Sequence, residues 1–245
     1  MDMKVSKLYG AALAATLVAA CGGGGSGGVG AGPAVTYAYV TPKANTQRIY
    51  ASTFVDNSNN TIAVTSRARV VSVNVDGSFV EFLDNPTGSS GLVNGTSYTQ
   101  RTETVTVNSS GQALLDSYVV NDLPVTCTIA PHGPGPDSPV SVGQAWALQY
   151  TATCGTSTPV TYSQSGSVVG IEPVVVPAGS FSALKILSTI VWTDPNGTTR
   201  TETITSWRDT ATAMLVKRIT NTGYSGTALV NGFPLSATVV LQSQS

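Results

Sequence analysis

The chain has 245 residues and a formal net charge of −1, with 12 Lys and Arg against 13 Asp and Glu and a single His. Charged residues make up only 10% of it, against a usual share of about 25%, and Ser, Thr, Asn and Gly fill the polar positions. This balance leaves no basic cluster for nucleic acid. With one His and three Cys, no ligand set for zinc remains once two of the cysteines are paired, and no cofactor or metal is expected.

Met1 to Lys7 carries Lys4 and Lys7, and a mostly apolar run follows from Leu8 to Ala20. A short basic start and about thirteen apolar residues form the layout of a secretory signal. The run is shorter than the roughly 20 residues that a membrane-spanning helix needs. It ends Val18-Ala19-Ala20-Cys21, which resembles the lipobox of bacterial lipoprotein precursors, an aliphatic and two small residues before a Cys. That resemblance implies lipidation of the Cys21 thiol, cleavage before it and acylation (typically by palmitate) of the new amino terminus. The alternative is an ordinary small-residue cleavage site that happens to precede a Cys. At roughly 0.8 kcal/mol per buried CH₂, several acyl chains together make a stable membrane anchor. Gly22 to Gly32 (GGGGSGGVGAG) reads as a flexible tether with a root-mean-square span of roughly 18 Å. Gly rather than Asp at position 22 favours the outer membrane, with the protein facing the periplasm; the alternative is the cell surface. The expected division is a signal peptide at 1–20, a lipidated Cys and tether at 21–32, and a β domain at 33–245.

No segment after Pro33 keeps apolar residues at helical spacing for three turns. Alternation at period two recurs instead, as in Val71-Ser72-Val73-Asn74-Val75, Thr102 to Val107 and Thr201 to Thr205. Turn signals separate these runs: Asp76-Gly77, Asn94-Gly95, Ser110-Gly111, Asp194-Pro195-Asn196-Gly197 and Asn231-Gly232. Such pairs tolerate the positive φ of tight hairpins. The expected fold is all-β and antiparallel: ten to twelve short strands in a strongly curved sheet or an open or partial barrel, with a β-sandwich as the alternative.

Arg101 to Thr106 (RTETVT) and Arg200 to Thr205 (RTETIT) are near-identical and 99 residues apart, and Gly77-Ser78-Phe79 and Gly179-Ser180-Phe181 repeat at an offset of 102. A near-constant offset suggests two copies of one β unit, 33–126 and 127–245; composition alone could also make Thr-rich strands converge. On a strand, residues i and i+2 share a face, so Arg101–Glu103 and Arg200–Glu202 read as surface ion pairs. Val168-Val169-Gly170-Ile171 and Val174-Val175-Val176 are apolar on successive residues, the pattern of a strand covered on both faces. Cys127 and Cys154, an even pair in an exported chain, read most simply as a disulfide, with two buried thiols as the alternative.

From Gly143 to Lys217 the chain resembles a family of proteobacterial periplasmic proteins and lipoproteins of unassigned function, the TapB-like proteins among them. The residues that carry it are Gly143 and Trp146 of a Gly-x-x-Trp strand, then Glu172 to Ile186 (EPVVVPAGSFSALKI) with Glu172, Pro177, Gly179 and Phe181, then Trp207 and Leu215-Val216-Lys217. Trp207-Arg208-Asp209 departs from the family's usual Trp-Tyr-Ala-Pro-Gly. The resemblance implies a strongly curved antiparallel sheet and brings no chemistry with it. The motif itself reads as architecture: Pro177-Ala178-Gly179 turns the chain, Phe181 and Ala183 point to one face, and Leu184 and Ile186 to the other.

His132 lies in a Pro/Gly loop, and no Gly-x-Ser-x-Gly elbow accompanies it. Glu81, Glu103, Asp116, Glu172, Glu202 and Asp209 could in principle supply a carboxylate pair of the glycosidase kind. The expectation is nevertheless a non-enzymatic lipoprotein, without catalytic residues, that binds an apolar ligand or an envelope protein. The alternatives are a structural or surface-exposed lipoprotein and, third, a carboxylate-based hydrolase.

Overall fold

In the computed structural model, residues 35–85, 91–93, 96–108, 113–131, 140–195, 197–225 and 234–245 are described. The signal segment, Cys21, the tether and His132 lie outside them, as do the Asn94-Gly95, Ser110-Gly111 and Asn231-Gly232 turns and Asn196.

β-Branched residues in alternation favour half-buried strands, and the described chain is built from strands and turns. The first eight strands are β1 (Thr36–Tyr37), β2 (Gln47–Asp56), β3 (Thr61–Val73), β4 (Phe79–Asp84), β5 (Gly91–Val93), β6 (Thr96–Tyr98), β7 (Gln100–Val107) and β8 (Ala113–Val120). The other eight are β9 (Val125–Ala130), β10 (Val140–Ser141), β11 (Ala145–Cys154), β12 (Val160–Val176), β13 (Gly179–Thr193), β14 (Thr199–Asp209), β15 (Leu215–Ser225) and β16 (Pro234–Gln244). Twelve of them close into one barrel in the order β11-β12-β13-β14-β15-β16-β2-β3-β4-β7-β8-β9. Each barrel strand is antiparallel to the one before it in the chain, and β16 pairs back onto β2 through Val239↔Ser52 and Val240↔Ala51. The curvature expected from sequence therefore closes completely: the sheet is a full barrel, neither a sandwich nor an open half. Closure removes the exposed sheet edges that an open sheet leaves. Not all the strands are short, since β12 has 17 residues and β13 has 15.

Six barrel strands precede the 131–144 connection and six follow it. Counting round the wall from β2, β7 is the fourth strand and β14 the tenth, so the two Arg-Thr-Glu-Thr segments stand on opposite sides of the barrel. The two Gly-Ser-Phe segments lead into β4, which pairs with β7, and β13, which pairs with β14. Gly77, at φ 85°, and Gly197, at φ 82°, hold the left-handed turn conformation that their sequence context suggests.

The core is divided among several clusters. Tyr37 and Val140, from the small β1–β10 pair, pack with Trp146, Val168, Leu184 and Ile186 of the wall. Tyr50, Val174, Val176, Ala183, Trp207, Val216, Val239 and Leu241 tie the end of the β12–β13 hairpin to β2, β14, β15 and β16. The expectation of a strand covered on both faces is corrected here. Val168, Val174 and Val176 are buried, but Val169, Ile171 and Val175 are 45%, 43% and 79% exposed. A bulge between Val168 and Gly170 shifts the register, and the outlying part of the hairpin has protein on one side only. Cys127 and Cys154 face each other across β9 and β11 and form a disulfide.

Candidate functional site

Alternation decides which side chains enter the barrel. Arg48, Tyr50, Ser52 and Phe54 of β2 line one central cavity with Val64, Ser66 and Ala68 of β3 and Phe79, Glu81 and Leu83 of β4. Arg101, Glu103 and Val105 of β7, Arg218 and Thr220 of β15 and Ala237 and Val239 of β16 complete the same wall. Contributions at alternate positions from the contiguous run β14-β15-β16-β2-β3-β4-β7-β8 identify this cavity as part of the lumen. Its volume is about 440 Å³. Arg208 lines it as well, and cross-strand register carries the inward face on to Leu184, Ile186, Ile190 and Trp192 of β13. Tyr39, from the segment after β1, enters the cavity and stacks on Phe79 with centroids 6.2 Å apart. The β1–β10 pair therefore packs against inward-facing residues and fills the part of the lumen lined by Trp146, Val168 and Leu184.

The two repeated motifs point inward, which corrects the surface reading. Glu81 and Glu103 face each other directly on β4 and β7. Arg48 pairs with Glu81, and Arg101 with Glu103 at 2.6 Å. In the second motif Arg200 turns away from Glu202 to Asp194, at 2.5 Å, and lies over the Trp192 and Tyr224 rings, 5.7 Å from each centroid. Glu202 is left 4% exposed, and its Oε2 has no hydrogen-bond partner among the described residues. Desolvation pushes its pKa up to about 8 although Arg218 and Arg200 oppose the shift. Burial likewise raises the pKa values of Tyr39 and Tyr50. Tyr50 donates its hydroxyl to the Leu215 carbonyl at 3.2 Å.

Arg208 and Arg218 are enclosed by the barrel, and desolvation lowers the pKa of each. Arg208 is nevertheless open to solvent. A group with protein all round it and water in reach lines a wet cavity. Arg208 donates Nη1 to the Ala213 carbonyl at 3.0 Å.

The family-motif residues occupy another place. The Trp207 indole N–H donates to Glu172 Oε1 at 2.5 Å, and Lys185 reaches Glu172 Oε2 at 3.3 Å. Lys185 and Lys217 lie over the Trp207 ring, 5.6 and 5.0 Å from its centroid. The Trp207 bond, with Lys185 adding to it, holds the Glu172 carboxyl below its ordinary pKa. Glu172 and Trp207 are thus brought together, and Phe181 packs against the same cluster as Trp207. Pro177 sits in the β12–β13 turn, which Gly179 completes at φ 134°. Gly143, at φ 87°, turns β10 into β11 and donates its N–H to the Val168 carbonyl at 2.7 Å. Trp146 faces inward beside Gly166, where an added Cβ would meet the indole at 2.3 Å.

Sequence reasoning missed Arg48, Arg208 and Arg218. One signal was available: Arg208 falls where the sequence departs from the pattern it otherwise resembles, just after Trp207. Among the described residues no group of His, Cys, Asp and Glu is arranged to hold a metal.

No protein-family model and no curated protein matches the chain. Solved structures do resemble it. A lipoprotein from Parabacteroides distasonis superposes with a TM-score of 0.55 at 15% identity, over 86% of this chain and 99% of that one. An exported protein with a YmcC-like fold from Bacteroides fragilis gives 0.48 at 14% identity, over 86% and 99%. The hypothetical lipoprotein YmcC from Escherichia coli gives 0.40 at 13% identity, over 82% and 89%. At 15% identity, the first likeness is one of fold.

Proposed function

We propose that this protein is an envelope lipoprotein whose barrel binds a small molecule in its lumen without transforming it. The observation that carries this reading is the cavity of about 440 Å³, walled by Phe54, Val64, Phe79 and Val239 together with arginines and tyrosines. An apolar wall with a few convergent polar groups is the usual make-up of a ligand site, and its size falls within the usual range. Glu81 and Glu103, the facing carboxylates, are each committed to an arginine, an arrangement suited to holding charge rather than to acid–base work. The Val18-Ala19-Ala20-Cys21 sequence supports a lipid anchor on Cys21, and Gly22 supports the outer membrane with the barrel facing the periplasm. The two six-stranded halves are read as copies of one unit, because both repeated motifs recur at equivalent strands.

A second reading, docking of an envelope protein, is favoured by the exposed apolar side chains Val169, Ile171 and Val175. Native mass spectrometry of the protein extracted from its own membranes tests the first. A bound small-molecule mass that disappears on denaturation is expected. A clean apo mass in repeated preparations would count against the lumen reading and leave the docking one.

A further inference from the structure

Within the lumen, charge does not balance. Arg48 and Arg101 are matched by Glu81 and Glu103. Arg208 and Arg218 form no ion pair with any carboxylate among the described residues. They stand on adjacent strands: Arg208 opposes Leu215 on β15, and Arg218 opposes Ser206 on β14. The Arg208 charge acts on Arg218, and both act on Tyr50. The carboxylate that acts on Arg218 is Glu202, but burial favours its neutral form, so it is a poor counter-ion. Two guanidiniums facing one wet cavity with no carboxylate paired to them make it a positive site that favours an anion. A guanidinium presents a fork of N–H donors that fits carboxylate, phosphate or sulfonate oxygens.

We infer that the lumen is an anion site: its ligand carries a carboxylate, phosphate or sulfonate head seated at Arg208 and Arg218 and an apolar body lying along Phe54, Val64 and Val239. This deepens the lumen reading above and rests on it. Tyr39, beside Arg48 and Arg208, supplies a hydroxyl donor at the same end. An uncharged hydrocarbon would leave both guanidiniums uncompensated.

A matched pair of fluorescent probes separates the two readings. N-Phenyl-1-naphthylamine is neutral, and 1-anilinonaphthalene-8-sulfonate is the same ring system with one sulfonate. Both are titrated into the full chain carrying Cys21→Ser, purified without detergent, and into the same chain with Arg218→Met or Arg208→Gln added. Binding of both probes is expected, with the sulfonate about tenfold tighter, as a charge-assisted hydrogen bond provides, and with that preference lost in either arginine variant. Arg218→Met removes an uncompensated charge, so its thermal midpoint is expected to match or exceed the parent's. Neutral-probe binding with no sulfonate preference overturns the anion inference and leaves the lumen reading standing. A preference that survives both substitutions places the anion elsewhere and also overturns it. If neither probe binds, both readings fall.

Discussion

Replacing Glu202 by Gln tests whether the lumen wall is as dry at that point as the structure indicates. Glu202 is 4% exposed on the inner face of β14, and its pKa rises from 4.5 to about 8. The folded protein therefore holds this proton more tightly than the unfolded chain does. Because the folded pKa lies above the unfolded one, the stabilisation is complete below the unfolded value and is lost as pH climbs through the folded value. Between about pH 5.5 and about pH 8.5 the loss amounts to roughly 3 kcal/mol. Gln keeps the shape and one acceptor oxygen, exchanges the other oxygen for an NH2 donor, and cannot ionise. Urea denaturation across that range is expected to show wild-type stability falling, with the Glu202→Gln curve flatter by about that amount. The variant should be the more stable protein at the alkaline end. Equal pH dependence in the two proteins would refute the claim that Glu202 is desolvated by the barrel.

Other outcomes follow from packing and covalent links. The Cys127–Cys154 bridge closes a sequence separation of 27, so Cys127→Ser with Cys154→Ser should cost about 3–4 kcal/mol in the chain-entropy approximation, read as a lower chemical midpoint. Gly166→Val should lower the thermal midpoint sharply, because a Cβ there would lie 2.3 Å from Trp146 and 2.7 Å from the Leu187 carbonyl oxygen; overpacking of this kind costs about 1–3 kcal/mol or more. Trp207→Phe removes the donor to Glu172 while keeping most of the ring volume, and a loss of about 1–2 kcal/mol is expected on thermal denaturation. At the other end of the chain, Cys21→Ser should abolish incorporation of labelled palmitate and release the protein from membranes; continued membrane attachment would contradict lipidation at Cys21.

Much of the architecture could be read from the chain because it is local. Alternation in β7 and β14 and the Asp76-Gly77 turn each depend on a few neighbouring residues. Closure of the barrel is not local, since it depends on β16 meeting β2 across nearly the whole chain. The site was hidden for a related reason. Period-two alternation placed Arg101 with Glu103 and Arg200 with Glu202 on one face, but it carries no label for inside or outside. A wet lumen accepts the charged residues that a solvent face would accept. Partner choice was also out of reach: Arg200 is drawn to Asp194 in its own hairpin turn and takes a place between two rings, which leaves Glu202 alone. Val169, Ile171 and Val175 misled in the opposite sense, because an apolar run marks burial only when something lies over both faces, and the register shift at Val168 and Gly170 takes this stretch past the wall.

Filling the lumen is the most direct test of a ligand site inside the barrel. Ser66 lines the cavity on β3, and Ser66→Trp would occupy much of the space with an indole. Titration with N-phenyl-1-naphthylamine should give a saturable fluorescence rise for the parent chain and little or none for Ser66→Trp, with both proteins showing the same far-ultraviolet β spectrum. An unchanged rise in the filled variant would mean that the probe binds outside the barrel, and the lumen would lose its claim to be the functional site.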